Sequence, residues 1–204
     1  MSNMKATGAT SQIIGYHFTG DKLRNGDPIP AIGQWLKHDG KIIVCRSGLH
    51  ASKHPFDALQ YAPGNMLHKV ILKGGLKSHG EPTDKYVGRH RKILASINAE
   101  PLLKAFARKC ALEVVHLWEC PRVVKQYLET GDEKIRAAAR AAVRAAERAA
   151  AWASARAAAW AAARAAARAA AGDAAKAAAW DAAGDAAWDN HRKLFAKMVK
   201  EAFK

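Results

Sequence analysis

Acidic residues are scarce in this 204-residue chain: 18 Asp and Glu stand against 33 Lys and Arg, a formal net charge of +15. That imbalance argues against a cationic partner and points toward polyanions or phosphate-bearing ligands, nucleic acid or an acidic protein among them. The same excess also serves to keep an alanine-rich helical protein in solution. It is spread over both ends, since residues 1–120 carry 17 basic and 9 acidic side chains and residues 121–204 carry 16 and 9. Cysteines are few, and Cys45, Cys110 and Cys120 are odd in number and irregular in spacing. A disulfide framework is therefore not expected, and a reducing cytoplasmic setting is. No run approaches the roughly 18 consecutive apolar residues of a membrane span. Met1 to Thr10 is small and polar with no apolar signal core, so neither membrane insertion nor export is expected.

Aromatics are only 7% although half the residues are hydrophobic, because alanine concentrated in the second half supplies much of the difference. The average conceals two polymers, and the expected organisation is an α+β head over 11–120 followed by an all-α tail over 121–204. In the head, short strands are predicted at Gln12–Phe18, Lys41–Cys45, Leu49–Ser52, Met66–Leu72 and Arg91–Ile97. Short helices suit Ile32–Leu36 and Pro55–Tyr61, where Pro55 fits a first-turn position. Lys73–Gly88, with its glycines, a proline and His79, reads as a loop with some ordered structure. At Asn98, a potential cap, the period changes to that of an amphipathic helix through Leu103, Phe106 and Cys110, interrupted at Glu119-Cys120-Pro121. A second helix is predicted from Pro121 to Glu129, ended by Gly131, with a fresh cap at Asp132.

Beyond Asp132 the sequence has a near-tetrapeptide rhythm: Arg136, Arg140, Arg144, Arg148, Trp152, Arg156, Trp160, Arg164 and Arg168, then Gly172, Lys176, Trp180, Gly184, Trp188 and Arg192. Alanine is the strongest helix former. A repeat of four advances about 40° per step on a helix, so these side chains spiral, which excludes a coiled-coil seam. Gly172-Asp173 and Gly184-Asp185 are stop-and-cap pairs that would leave one long helix from Asp132 to Ala171, about 60 Å if unbroken, and two shorter ones. The tryptophans suit packing on the head or between chains as a homo-oligomer, or stacking on nucleic-acid bases.

The segment Ser-Gly-Leu-His-Ala-Ser-Lys-His-Pro-Phe-Asp-Ala-Leu-Gln-Tyr, Ser47 to Tyr61, resembles the second motif of the ADP-ribosyltransferase superfamily. There a glycine leads a strand bearing an aromatic or histidine, and a helix with alanine and tyrosine follows. Gly15-Tyr16-His17-Phe18-Thr19-Gly20 resembles that superfamily's first motif, and Asn65 to Gly74 resembles the strand after the motif-two helix. The same residues look like an uncharacterised domain of phage and bacterial proteins. The resemblance spans about Gly15 to Ile97 and implies a split-sheet head binding NAD, or a related ADP-ribose or phosphorylated nucleotide. His17 and His50 would position the ribose, with Thr19, Ser52 and Tyr61 alongside, and Arg24, Arg89 and Arg91 would hold phosphates. Lys53 is a further cationic neighbour.

The third-motif glutamate of that superfamily is missing: Gly88, Arg89 and His90 stand in its place, with Glu81 and Asp84 only nearby. A histidine pair without the acid is similar to the RNA 2′-phosphotransferase branch, which moves a phosphate onto NAD. It equally suits non-catalytic sequestration of a nucleotide signal, as phage proteins opposing host defence perform. A third reading is a basic nucleic-acid-binding or scaffolding protein with a structural head. Cys45, His50 and His54 have the residue types of a zinc site, but Pro55 keeps both histidines off the helix, so no metal is expected.

Overall fold

The computed structural model describes residues 12–151 and 185–204. The architecture is α+β, and the chain divides into two compact units, one ending at Asn98 and the other starting at Ala99. The division falls earlier than the boundary expected at residue 120, because the helix after Asn98 packs with the helices that follow it.

Among the described residues the first unit holds seven strands and one short helix. Strands β1 (Gln12–Thr19), β2 (Trp35–Lys37), β4 (Met66–Lys73) and β7 (His90–Asn98) form an antiparallel sheet in the order β1-β4-β7-β2. Strands β3 (Leu49–Ala51), β5 (Lys77–His79) and β6 (Lys85–Gly88) form a second antiparallel sheet, β3-β6-β5. Helix α1 (Pro55–Leu59) leaves β3 with Pro55 in its first turn, where a missing N–H costs nothing. Ala51, Val70, Leu72 and Ile93 make the buried core between the sheets, with Leu49, Leu76 and Tyr86 packed on it. Val70, Leu72 and Ile93 lie on one face of the larger sheet because side chains alternate along a strand.

The two sheets are also joined through backbone. Tyr16 N–H donates to the Ser52 carbonyl at 2.7 Å, and Ser52 N–H returns a bond to the Tyr16 carbonyl at 3.0 Å. Gly15 permits this approach: a Cβ there would lie 2.6 Å from the Ser52 oxygen.

Two local expectations are corrected. Ile32–Leu36 is not a helix. Gly33 turns at φ 87°, its N–H donates to the Ile93 carbonyl at 2.9 Å, and the chain continues into β2. The left-handed turn at Gly33 breaks a helical run there, and β7 offers Trp35–Lys37 a ladder instead. Lys41–Cys45 is not a strand, since only an isolated Ile43–Ser47 bridge forms and Cys45 takes φ 63°. The ordered structure within Lys73–Gly88 is a strand pair: β5 and β6 pair there and bury Lys85, Val87 and Gly88.

The second unit is helical where described: α2 (Glu100–Glu113), a 3₁₀ turn at Val115–Leu117, α3 (Arg122–Thr130), α4 (Arg136–Ala151) and α5 (Asp185–Ala202). Asn98 ends β7, and the cap of α2 is Ala99, without a side-chain cap bond. Gly131 ends α3 in the left-handed conformation, and Asp132 Oδ1 accepts from Lys134 N–H at 2.9 Å ahead of α4. Ala107 and Ala111 of α2, Val124, Tyr127 and Leu128 of α3, and Ala139 and Val143 of α4 form one core. On α4, Arg140 and Arg144 stay exposed, while Arg136 pairs with Glu133 at 3.1 Å. Helix α5 packs Phe195 on Phe106 of α2 with ring centroids 4.9 Å apart, and its buried His191 meets Glu113 at 2.7 Å. Cys110 is buried, and burial pushes its thiol up to about 12, which leaves it unreactive. The expected features from Trp152 to Gly184, including three of the tail tryptophans and the Gly172-Asp173 break, lie outside the described residues. Among the described residues no helix is long and apolar enough to cross a membrane.

Candidate functional site

A cleft of about 530 Å³ opens within the first unit, lined by β1, the segment 22–27, the segment 45–52, Tyr61, Lys85 and Arg91. Its size falls within the usual range of small-molecule sites, about 300–1,000 Å³. His17 and His50, thirty-three residues apart in the chain, both line it, as do Thr19, Arg24, Ser52, Tyr61 and Arg91. Arg89 does not: its guanidinium donates to the carbonyls of His38 at 3.0 Å and Gly40 at 3.3 Å, pinning that loop.

Strand alternation aims His17 toward the cleft. It sits directly opposite His68 on β4, so the two rings share the sheet face on which Arg91 also lies. His68 is buried and fully engaged. One nitrogen, Nδ1, is 2.7 Å from Ser96 Oγ, and Nε2 is 2.8 Å from Thr19 Oγ1. Thr19 donates its hydroxyl to the Gly20 carbonyl at 2.9 Å. A consistent chain runs from the Ser96 hydroxyl to Nδ1, from Nε2–H to Thr19, and from Thr19 to Gly20, and it fixes a neutral tautomer. Thr19 and His68 thus back the wall behind His17.

His50 projects from β3. Its ring donates to the Gly48 backbone, while Nε2 is buried without a hydrogen-bond partner. Arg91, only 6% exposed, donates through Nη1 to the His50 carbonyl at 2.8 Å. Among the described residues no carboxylate lies within ion-pair distance of its guanidinium. Burial alone lowers Arg91 to about 10. Burial, with the neighbouring Lys85, Arg91 and Arg24 charges, holds His50 at about 4. His17 is pushed well below its ordinary 6.5 by burial and then by Arg91 and the other two histidines. At neutral pH these imidazoles are uncharged and offer directional hydrogen bonds, and the cations supply the field.

That field is one-sided. Lys22, Arg24, Arg46, Lys85 and Arg91 line the cleft, and among the described residues the lining carboxylate is Asp27, which accepts from Asn25 Nδ2 at 2.6 Å. Tyr61 stands at the opening, its hydroxyl donating to Asp84 and its ring under Lys85 Nζ at 3.7 Å. Asp84 also contacts His79 at 3.0 Å and is held below its usual value: burial raises it, but the bonds from Tyr61 and His79 outweigh that. Neither Glu81 nor Asp84 lines the cleft. Among the described residues no group of three or more His, Cys, Asp or Glu is placed to hold a metal.

Sequence reasoning missed His68, His38 and Lys85. His68 sat in plain view in a predicted strand, but only the strand register sets it behind His17. Lys85 lay in a stretch read as a loop with some ordered structure, and nothing local marked it as cleft-lining.

The buried histidines impose a pH dependence. Burial and then the Arg91 charge lower His68 from 6.5 to about 4. The unfolded chain therefore takes up this proton at a higher pH than the folded one. Stability contributed by neutral His68 is full above pH 6.5 and is lost as pH falls toward 4, by about 3 kcal/mol. Urea denaturation at pH 7.5 and at 4.5 measures the loss. A His68→Gln variant is expected to show a shallower dependence, and an equally steep one would refute this account.

Residues 13–105 match the family model described as Domain of unknown function (DUF7666), a span that includes every residue lining the cleft. No curated protein and no solved structure matches the chain.

Proposed function

We propose that the sheet unit binds a phosphorylated nucleotide of the NAD or ADP-ribose class and holds it without turning it over. The observation that carries this reading is Arg91: a buried guanidinium with a single backbone acceptor, in a cleft that Lys22, Arg24, Arg46 and Lys85 also line, with Asp27 the lining carboxylate among the described residues. A buried charge is costly unless matched, and an anionic ligand would match it. The orphaned His50 Nε2 and the His17 ring in the same cleft suit ribose hydroxyls. The motif resemblance to the ADP-ribosyltransferase superfamily supports the ribose and pyrophosphate assignment.

Sequestration is favoured over transfer because the cleft lacks the glutamate that would orient a ribose for attack, and Asp27 is engaged by Asn25. The role fits a phage or bacterial protein that withholds a nucleotide signal in a cytoplasm. The three cysteines, all free, suit that reducing compartment. A phosphate-transferring enzyme acting on NAD is the second reading, favoured by the pairing of Arg91 with two neutral histidines.

Calorimetric titration with ADP-ribose, NAD and inorganic pyrophosphate tests the proposal, with nicotinamide release followed in parallel. Micromolar binding of ADP-ribose without release is expected. Steady nicotinamide production would replace sequestration by catalysis, and no binding of any of the three would refute the nucleotide assignment.

A further inference from the structure

The four-stranded sheet contains no Asp or Glu in any of its strands. On the face opposite the cleft, register places Trp35, Lys92, Ile71 and Ile14 in one row across the sheet. The adjacent row is Lys37, His90, Lys73 and Gln12. At the Phe18–Leu67 end this face is buried, whereas at the Trp35 end it is open, with Trp35 39% and Ile14 57% exposed. The Trp35 ring has Lys73 Nζ at 4.2 Å and Lys92 Nζ at 4.9 Å from its centroid, and His90 stands edge-on at 6.4 Å. The nearest acid in sequence, Asp39 just past β2, is paired with Lys37.

We propose that this outer face is a binding site for single-stranded nucleic acid, with Trp35 as the stacking platform and Lys73 and Lys92 as phosphate contacts. An exposed indole costs hydration and is kept where it meets a partner, and a flat ring suits any base regardless of sequence. Its two lysines come from neighbouring strands, so a stacked base would have a cation on each adjoining phosphate. An edge strand such as β2 leaves room for the chain to run past. Charge complementarity selects the partner: the strands of this face offer cations and no carboxylate, and Asp39 at its margin is neutralised by Lys37. A membrane surface would instead want a broader apolar area than one indole and two isoleucines.

The test uses the full chain and a labelled oligo(dT) or oligo(U) dodecamer, read by fluorescence anisotropy at about 50 and about 200 mM salt. Trp35→Ala is expected to weaken binding about tenfold, and Trp35→Phe to retain most of it. Lys73→Glu with Lys92→Glu should weaken it further and reduce the salt slope by about 2. ADP-ribose titration should be unchanged in all of these, which separates this site from the cleft. Absence of oligonucleotide binding would overturn the proposal. So would variants that bind like the wild type, which would move the contacts to the basic tail. Vesicles of phosphatidylglycerol bound in preference, with the same residue dependence, would overturn it in favour of a lipid surface.

Discussion

Replacing Arg91 with methionine is expected to weaken ADP-ribose binding about a hundredfold while leaving the unliganded protein at least as stable as wild type. The two effects share one cause. Arg91 is 6% exposed and spends one hydrogen bond on the His50 carbonyl. Burial lowers it from 12.5 to about 10, a cost of about 3 kcal/mol to the folded state. A base depressed in the folded state is penalised at every pH below its folded value, so at neutral pH the whole cost is present and is relieved only above pH 10. Methionine has similar length and no charge, and removes that penalty while giving up one hydrogen bond to a charged donor, about 1.5–3 kcal/mol. A charge-assisted contact to phosphate is worth about as much, which gives the hundredfold loss of affinity. Urea denaturation without ligand and calorimetry with ADP-ribose measure both halves. A variant that unfolds more easily yet binds as tightly would show that Arg91 is a structural cation, and the nucleotide reading would fall with it.

Gly15→Val is expected to cost about 3 kcal/mol or more and to abolish ligand binding with it. A Cβ at Gly15 would lie 2.6 Å from the Ser52 oxygen and 3.2 Å from its carbonyl carbon, both backbone atoms that cannot rotate aside. To accommodate it, β1 must part from Ser52, breaking the reciprocal bonds of 2.7 and 3.0 Å that bring His17 and His50 to one cleft. Gly20 is the control. Nothing lies within 4 Å of a Cβ placed there, so Gly20→Ala should stay within about 0.5 kcal/mol of wild type. Thermal unfolding of the two variants side by side decides it, and a Gly15→Val protein as stable as Gly20→Ala would mean the sheets do not depend on this junction.

Much of the first unit was legible because its strands carry strong local signals. Met66–Lys73 and His90–Asn98 are rich in β-branched and long apolar residues, and both were read within a residue or two. Pro55 marked the start of α1, and Gly131 the end of α3. The misreadings, and the one incomplete reading, fall where local preference was weak. Ile32–Leu36 has helical spacing but only five residues, and β7 beside it decided in favour of a strand. Lys77–His79 and Lys85–Gly88 surround glycines and a proline, and pair only because the other sheet needs a cover.

The candidate site divides in the same way. Residue types named His17, His50 and Arg91, since imidazoles and guanidinium groups carry recognisable chemistry wherever they stand. Arg91 and Arg89, two residues apart on opposite sides of a strand junction, could not be told apart by type. One is buried beneath the cleft, and the other pins a loop.

Taken alone, the sequence determined the cationic character, the change from strand to helix near Asn98 and the alanine helix propensity of the second half, because charge, periodicity and propensity are properties of the residues and their near neighbours. The tertiary structure alone decided that His17 and His50 line one cleft, that His68 stands across from His17 and that Trp35 lies among lysines from other strands. Those facts depend on β-ladder register and on the close approach at Gly15, which join residues far apart in the chain.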